Sequence, residues 1–336
     1  MFSTSRRRHQ KPSLADMPEE VMRKILEKSE FRSILTLRKV SHDFRNFIDD
    51  VKPTLNLDII QIHLDDSQVK ISLHSSSVKK SARIEYLKEE NHCQIISTYR
   101  KSIKQWTLEE QDYLSTFFKD LKIILSLQTS NVLLSFSLFA SEVPEGFENV
   151  FTSPLKTQNF AITTSGQDEV LKVLPLMDSE HLKEVCFYNI HEVAGEIWDF
   201  EKIVELDQWK QSERLELVYF VVHLPIHHFF HFSNANIRLL EISADDILQL
   251  KQNFLRLQNF KFVHVECKTL NDESDLPSLL GAPFIAEEPQ NLDQRKWFFK
   301  FPADSESVLY ILISDPENIY FTNIDTSKVP SGALIQ

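Results

Sequence analysis

Four histidines lie close together in the segment 223–232, at His223, His227, His228 and His231. The pairs His223/His227 and His227/His231 are four residues apart, a spacing that would put two imidazoles on one helix face and could hold zinc. However, Pro225 interrupts the first pair, no cysteine is near, and no glutamate takes the place it has in the HExxH zinc motif. We therefore expect histidines packed around an aromatic core and no bound metal.

Motifs for covalent or cofactor chemistry are missing from the sequence. It contains no GxSxG nucleophile motif, no P-loop, no dinucleotide fingerprint and no CxxC pair. Adjacent acids such as Asp65–Asp66 and Asp245–Asp246 lie in polar stretches, which is typical of solvated turns and helix caps. Because catalytic carboxylates meet in space rather than in sequence, a hydrolase with an unrecognised motif stays an alternative, which a deep polar pocket with perturbed carboxylates would support. We expect no catalytic residue and no cofactor.

Composition and charge limit the classes of partner. The 336 residues are 42% hydrophobic and 11% aromatic, enough for a small domain followed by a larger one. The net charge is −12, and residues 1–50, with 11 Lys/Arg against 8 Asp/Glu, are the basic part. The acidic main domain disfavours direct binding of nucleic acid.

Cysteine usage and hydropathy indicate a cytoplasmic or nuclear protein. Cys93, Cys186 and Cys267 are far apart and in no metal-like spacing, so we interpret them as reduced thiols. No secretory signal opens the chain. The most apolar run, about residues 121–140, is interrupted by polar residues such as Lys122, and we expect no membrane span.

The segment 14–48 organises the chain and reads as three short helices. Pro18 suits a helix start, Val21 begins an apolar series at helical spacing, and Ser41 is a candidate N-cap for the third helix. A unit of about 35 residues is smaller than most domains that fold without a staple. Leu14 and Met17 precede the first helix, where they are poorly placed to join a three-helix core. Such unused apolar surface indicates a docking face.

This segment resembles the F-box, the motif that docks on the Skp-type adaptor of a cullin-RING ubiquitin ligase. The resemblance rests on L14-x-x-M-P18, then I25-L26, then I34-L35-x-L37-x-x-V40-S41-x-x-F44. It departs from the commonest pattern at Met17, where Leu is usual, and at Phe44, where Trp is common. The resemblance implies adaptor-binding residues at Leu14, Met17, Pro18, Leu35 and Val40. An N-terminal helical hairpin packed on its own domain is the alternative.

After residue 54 the pattern changes to strands and helices. Alternating apolar residues at 55–59, 69–73 and 132–138 predict strands. Helical periodicity predicts helices over 109–128, 168–177 and 245–254. Three short strands, around 297–299, 308–313 and 319–321, are expected to close the domain.

The second half contains a weak repeat of an apolar-x-x-apolar-x-apolar frame, centred on Val185, Leu215, Leu240 and Phe260. Strand and helix at a spacing of about 20–30 residues is typical of leucine-rich repeats. The usual asparagine is missing and the spacing drifts, so a plain α/β sheet domain is the alternative. Both interpretations predict parallel strands joined by helical crossovers, with the four central residues equivalent and buried.

An F-box followed by this layout resembles the large nematode-expanded F-box A proteins, whose C-terminal FTH domain is a protein-interaction module. The expected fold is α+β or α/β, with a three-helix F-box and an irregular leucine-rich-repeat-like α/β domain. The expected ranges are a disordered tail at 1–13, the F-box at 14–52, the FTH-like domain at 54–325 and a tail at 326–336.

The resemblance implies a substrate-recognition subunit of an SCF-type cullin-RING ligase. Its partners would be the Skp-type adaptor, a cullin and an unidentified target protein. The alternative is a non-catalytic protein that recruits or inhibits a partner without ubiquitination.

If the four frames are in register, the residues that flank the buried positions point to the opposite face of the sheet. One column would then hold Cys186, Glu216, Glu241 and Lys261. The next would hold Tyr188, Val218, Ser243 and Val263. In a solenoid such columns line the binding surface. The candidate target-binding residues are therefore Cys186, Tyr188, Glu216, Val218, Glu241 and Lys261.

Overall fold

A computed structural model of the chain describes residues 17–75, 80–128, 131–192, 195–285, 294–302, 306–315 and 317–336. Leu14 and the segment 1–13 lie outside the described residues. The part of the chain that is described contains α-helices, short 3₁₀ turns and a single large mixed sheet.

Three helices occupy the N-terminal region, α1 (Glu19–Glu27), α2 (Phe31–Leu37) and α3 (His42–Val51). Two glutamates in the first turn of α1 favour the positive end of the helix dipole. The Ser41 hydroxyl accepts a hydrogen bond from the Phe44 amide at 3.2 Å, so Ser41 caps α3 as predicted.

Sixteen strands of the described residues form one sheet, in which parallel strands are flanked by antiparallel ones. The strands are β1 (Ile59–Leu64), β2 (Gln68–Ser75), β3 (Lys80–Lys88), β4 (His92–Tyr99), β5 (Ser102–Glu109), β6 (Leu133–Ala140), β7 (Thr157–Thr164), β8 (Glu184–Asn189), β9 (Ile197–Trp198), β10 (Arg214–Val218), β11 (Val221–Val222), β12 (Asn234–Ser243), β13 (Phe262–Asn271), β14 (Arg295–Lys300), β15 (Ser307–Asp315) and β16 (Asn318–Asp325). The helices that connect them are α4 (Tyr113–Ser126), α5 (Gln167–Val173), α6 (Asp207–Gln211), α7 (Ala244–Phe254) and α8 (Leu276–Leu280).

The strand order explains how the sheet is built. Along the sheet it runs β14-β15-β16-β13-β12-β10-β8-β7-β6-β1-β2-β3-β4-β5, and β11 joins β12 and β9 outside this path. From β6 to β13 the long strands are parallel and each lies beside its predecessor in the chain. Helices such as α5 and α7 make the crossovers between them, as predicted. An antiparallel meander, β1 to β5, extends one side, and β16, β15 and β14 extend the other.

One continuous row of buried side chains crosses the sheet. The strand pairings connect Leu73, Ile60, Phe136, Phe160, Val185, Leu215, Ala235, Val263, Phe321, Ile311 and Trp297, all nearly inaccessible to solvent. This row and the apolar sides of α4 and α7 belong to one core. We call the face with this row the covered face. The opposite side, the open face, carries mostly polar, half-buried residues, because strand side chains alternate.

The predicted repeat frame is correct for its first two members and wrong for the others. Val185 is the register partner of Leu215, and both are buried. The next partners along this row are Ala235 and Val263 rather than residues of the predicted frame. Val263, predicted to lie in an exposed column, is therefore in the core.

Leu240 and Phe260 lie outside this row. Leu240 is half-buried, and its neighbour Leu239 is 2% exposed. Phe260 is buried before β13 begins and stacks on Phe254 of α7 with ring centroids 4.4 Å apart. Apolar spacing found the core residues of this region, but it did not determine which of two adjacent residues faces the core.

The first and last parts of the sheet also differ from expectation. β1 begins only at Ile59, because the Gln128 side chain bonds the amide and carbonyl of Leu57 at 3.2 and 3.1 Å in place of a neighbouring strand. β3, β5 and β7 were not predicted. The segment 326–336, expected to be a tail, returns to the sheet, where the Gln336 amide bonds the Phe298 carbonyl at 2.9 Å.

Candidate interaction surfaces

Most of the predicted adaptor-binding residues that the structure describes are exposed apolar side chains. Met17 is 41% exposed and the adjacent Pro18 is exposed, immediately before α1. Val40, in the turn before α3, is 64% exposed. Val21 in the first turn of α1 is also exposed, although its apolar periodicity suggested a packed position. This exposure is what docking requires, while adaptor binding by these residues stays a prediction.

Leu35 differs from the others because it lines a groove of about 450 Å³ between α2 and the sheet. The floor of this groove is apolar and includes Leu73, Ile84 and Ile124. Trp106, on the edge strand β5, lies along the same groove. Leu35 is half-buried there.

The N-terminal helices are attached to the sheet by polar and apolar contacts. The Tyr99 hydroxyl of β4 donates a hydrogen bond to the Glu30 carboxylate at 2.7 Å. The Arg32 guanidinium lies 4.4 Å from the centre of the Tyr99 ring, a cation–π contact. Leu26 and Ile34 belong to the same core as the sheet. The helices therefore pack on the larger domain with their buried side and keep Met17 and Val40 outside.

Four of the six candidate target-binding residues lie side by side on β8 and β10. Cys186 is the register partner of Glu216, and Tyr188 is the partner of Val218. The Tyr188 hydroxyl donates a hydrogen bond to the Glu216 carboxylate at 3.1 Å. Cys186 is buried and the other three are half-buried on the open face. The structure thus brings these four together, as the column hypothesis required.

The electrostatics of this group favour hydrogen bonding over covalent chemistry. Burial, followed by the charges of Glu184 and Glu216, raises the pKa of the Cys186 thiol far above its ordinary value. Burial, followed by Cys186 and Glu216, also raises the pKa of Tyr188. Both side chains are therefore protonated at neutral pH, and the thiol is a poor nucleophile.

Glu241 and Lys261 lie apart from this group. The register places Asn236 beside Glu216 and His264 beside Asn236, where Glu241 and Lys261 were predicted. Glu241 is exposed, and its carboxylate lies 3.4 Å from His223 Nε2. Lys261 is exposed and precedes β13. The predicted columns are therefore wrong beyond β10.

A polar pocket of about 430 Å³ opens on the open face over β1, β2, β3, β6 and β7. Small side chains form its base, at Ser72, Ser137 and Ala161, and longer ones surround them, at Gln61, His63, Lys70, Arg83, Phe139 and Thr163. We call this the open-face pocket. This pocket was not predicted from the sequence, because two of its strands, β3 and β7, were not predicted. The available signal was the polar residue at every second position of β1 and β2, between the buried ones.

Comparison with known protein families matches residues 14–56 to the F-box domain and residues 141–277 to the FTH domain. The chain carries an F-box and an FTH domain. It is also 22% identical to F-box A protein 224 of Caenorhabditis elegans over 331 residues, which cover 93% of this chain and 81% of that protein. Domain content and similarity together match the F-box A family with FTH, and the resemblance drawn from the sequence is confirmed.

Among solved structures, a propionate kinase from Francisella tularensis subsp. tularensis aligns with 28% of this chain and 27% of its own chain. The identity is 11% and the TM-score is 0.19, a similarity that supports no argument about fold or function.

Two of the candidate surfaces lie within the domain matches, and the third lies mostly between them. The F-box match contains α1, α2 and α3, with Met17, Pro18 and Val40. The FTH match runs from the end of β6 to the start of α8 and contains the group around Glu216. The open-face pocket lies mostly on the strands between the two matches, with β7 as its FTH side.

The histidine segment of the FTH domain lies around a 3₁₀ turn, Ile226–Phe229. The rings of His227 and His228 are 4.2 Å apart, and His231 Nε2 lies 2.9 Å from the Trp209 carbonyl oxygen. Burial, and then the charge of His227, lowers the pKa of His228. Within the described residues no group of three or more His, Cys, Asp or Glu side chains could hold a metal ion. None of the described helices is long and apolar enough to cross a membrane.

Proposed function

We propose that this protein is a substrate-recognition subunit of an SCF-type cullin-RING ubiquitin ligase. F-box proteins generally act in such complexes as substrate adaptors, with the F-box bound to a Skp-type adaptor. The observation that carries the proposal is the exposure of Met17 and Pro18 before α1, inside the F-box match. Apolar side chains that the fold leaves in solvent favour a partner that covers them.

The three N-terminal helices form the adaptor-binding unit in this proposal, with Leu14, Met17, Pro18 and Val40 as contacts and Leu35 at its border with the groove. The strands from β6 to β13 form an irregular leucine-rich-repeat-like domain that holds the target. Their order supports this, because each parallel strand follows its neighbour without a reversal. The ranges that we propose are 14–52 for the F-box and residue 54 onward for the larger domain, which includes the segment 326–336 because Gln336 bonds the sheet at Phe298.

The receptor contributes no reacting group. It acts by holding the target near the ubiquitin-charged enzyme, which raises the effective concentration of target lysines. The protonated state of Cys186 agrees with a binding role. Within the FTH domain, we propose that Tyr188, Glu216 and Val218 contact the target together with Cys186. Their shared open-face position supports this group over Glu241 and Lys261.

The second candidate is a non-catalytic interaction protein that recruits or inhibits a partner without ubiquitination. It would use the same two surfaces and differ only in whether a cullin joins the complex. In both cases we propose a cytoplasmic or nuclear protein, because its three buried cysteines are unbridged.

The test is affinity purification of the full chain, with the adaptor and a cullin measured by quantitative mass spectrometry. A Met17→Ala/Pro18→Ala variant removes the central exposed contacts, and loss of such anchors commonly costs about 2 kcal/mol or more, roughly a thirtyfold loss of affinity. Leu134→Ala is the matched control, since Leu134 is an exposed apolar residue of β6.

We expect the double variant to lose the adaptor and the cullin while its melting temperature stays that of the wild type. The Leu134 variant should keep both. Adaptor recovery by the double variant at the wild-type level would contradict the F-box contact. Adaptor recovery by the wild type without any cullin would favour the second candidate.

A further inference from the structure

The open-face pocket concentrates cations and hydroxyl groups in a protein that is acidic as a whole. Lys70 and His63 are direct register partners on β2 and β1, and Arg83 is the partner of Ser72 on the next pair. Side chains opposed on antiparallel strands start about 5 Å apart at their Cβ atoms, so these groups converge on one volume. The net charge of the chain is −12. The negative net charge already favours solubility, so solubility does not explain why these cations are grouped in the pocket.

The charges in the pocket are incompletely balanced. The Arg83 guanidinium contacts the Glu85 carboxylate at 3.1 Å. Glu85 is also the register partner of Lys70, although no ion pair joins them among the described residues, so one carboxylate lies close to both cations of the pocket. Burial, followed by the charge of Lys70, lowers the pKa of His63, whereas Asp65 raises it and Arg83 lowers it further. At His63 the charge of Lys70 thus acts on the pKa more strongly than the charge of Asp65, and burial acts more strongly than either.

The shape of the pocket follows from its residue types. Ser72, Ser137 and Ala161 leave open space at the base because their side chains are short. Phe139 forms one wall, and the His63 ring stacks on it with centroids 4.2 Å apart. This stacking fixes the orientation of the imidazole. The cationic and hydroxyl donors around the base lie on strands rather than on loops, so their backbone positions are also fixed.

We propose that the open-face pocket binds the phosphate group of a phosphorylated peptide segment of the target protein. A phosphate ester has about two negative charges and three strong acceptor oxygens. Lys70, Arg83 and the hydroxyls of Ser72 and Thr163 supply donors for all three, more than a single carboxylate would use. The volume of about 430 Å³ exceeds that of a phosphate and leaves room for the attached residue.

A peptide fits the surroundings better than a nucleic acid or a lipid surface. The overall negative charge disfavours a polyanion with many phosphates. On β8, next to β7, the open face continues with Tyr188 and then reaches Glu216, which offer hydrogen bonds to a polypeptide that extends from the pocket. The inference rests on the proposed function, since it gives the target a chemical class.

The test uses the purified full chain and a degenerate peptide pool with a central phosphoserine, phosphothreonine or phosphotyrosine, and the same pool without phosphate. Binding is measured by fluorescence polarisation. Lys70→Ala and Arg83→Ala each remove one charge-assisted contact and should weaken phosphopeptide binding about tenfold or more. Ala161→Leu should weaken it as well, because the larger side chain fills the base without changing any charge. Lys183→Ala, at an exposed lysine paired with Glu213, removes the same charge elsewhere and should leave binding unchanged.

A second readout identifies the site directly. The His63 ring proton resonance, assigned with a His63→Gln variant, is followed by NMR as a function of pH. The phosphopeptide should raise the pKa of His63, and the unphosphorylated pool should leave it where it is. Equal binding of both pools, an unchanged His63 titration, or unchanged affinity of the three pocket variants would overturn the proposal. Pocket-dependent binding to phosphatidylinositol 4-phosphate vesicles, with no binding of the phosphopeptide pool, would overturn the peptide assignment.

Adaptor co-purification is measured on the same variants to separate the two proposals. Loss of phosphopeptide binding by the pocket variants with normal adaptor recovery supports both. A wild type that recovers the adaptor and fails to discriminate phosphopeptides overturns only the pocket assignment. Phosphopeptide binding by a chain that never recovers the adaptor overturns only the ligase function.

Discussion

Replacing two adjacent leucines of β12 tests the register of the parallel strands. Leu239 is 2% exposed and is the register partner of Val222 and Cys267, which are also buried. Leu240 is half-buried and leaves the strand on the opposite side. Each can be changed to Ala, so the two variants differ by the same atoms at neighbouring positions. The repeat frame places Leu240 in the core, and the structure places Leu239 there.

The expected magnitudes follow from burial. Leu→Ala removes three carbon groups, worth about 2.4 kcal/mol at roughly 0.8 kcal/mol each when they are fully buried. At Leu239 a cavity remains between strands that cannot close on it, so the total loss should be about 3–5 kcal/mol. At Leu240 only part of the side chain is buried and water can replace it, so the loss should be about 1 kcal/mol.

The assay is urea unfolding followed by tryptophan fluorescence, since Trp198, Trp209 and Trp297 are buried. If the free energy of unfolding falls with urea concentration at the same slope in both variants, their urea midpoints can be compared as stabilities. A Leu240→Ala variant that is destabilised as much as Leu239→Ala, or more, would refute the register of β12 and restore the frame read from the sequence.

Two further changes test contacts away from the candidate surfaces. Tyr99→Phe keeps the ring under Arg32 and removes the hydrogen bond to Glu30. It should lower the free energy of unfolding by about 1–2 kcal/mol and speed hydrogen exchange in α1 to α3. Unchanged exchange in these helices would mean that this bond does not attach them to the sheet. Burial raises the pKa of Asp178, but the hydrogen bond and charge of His181 outweigh it, and the folded pKa is lowered. The carboxylate therefore contributes stability above its unfolded pKa and loses it as the pH falls through the folded value. Asp178→Asn should cost under about 1 kcal/mol at pH 6, and this cost should shrink as the pH falls through the lowered folded pKa. A pH-independent difference in urea midpoints would contradict this linkage.

The sequence predicted the elements better than it predicted their register. Helical periodicity located α4 and α7, and alternation located β2, because in each a single buried side dominates the pattern. At β12 the same method failed. Ala235, the residue in the buried row, is small and does not look like a repeat position, and the adjacent Leu239 and Leu240 satisfy either phase. The neighbouring strands determine which of the two alternating sets of side chains faces the core, and the sequence does not show which strands are neighbours.

The candidate surfaces show the same division. The exposure of Met17 was predictable from its position before α1, because it depends only on where the residue lies in the sequence relative to the start of the helix. The open-face pocket was not predictable, because it needs β1 to lie between β2 and β6, and β6 is separated from β1 by four strands and a helix. Tyr188 and Glu216 were brought together by two frames that happened to share a phase.

The sequential order of the parallel strands has a consequence for synthesis of the chain. As the polypeptide leaves the ribosome, β6 can pair with β1, which is then the edge strand of the β1–β5 meander. Each later parallel strand pairs with the parallel strand before it, which is the edge strand at that moment. From β7 to β13, growth at this edge pairs each parallel strand with the one before it in the chain, so the loop that must close at each of these steps stays short. The strands β16, β15 and β14 pair antiparallel and end this growth of parallel strands.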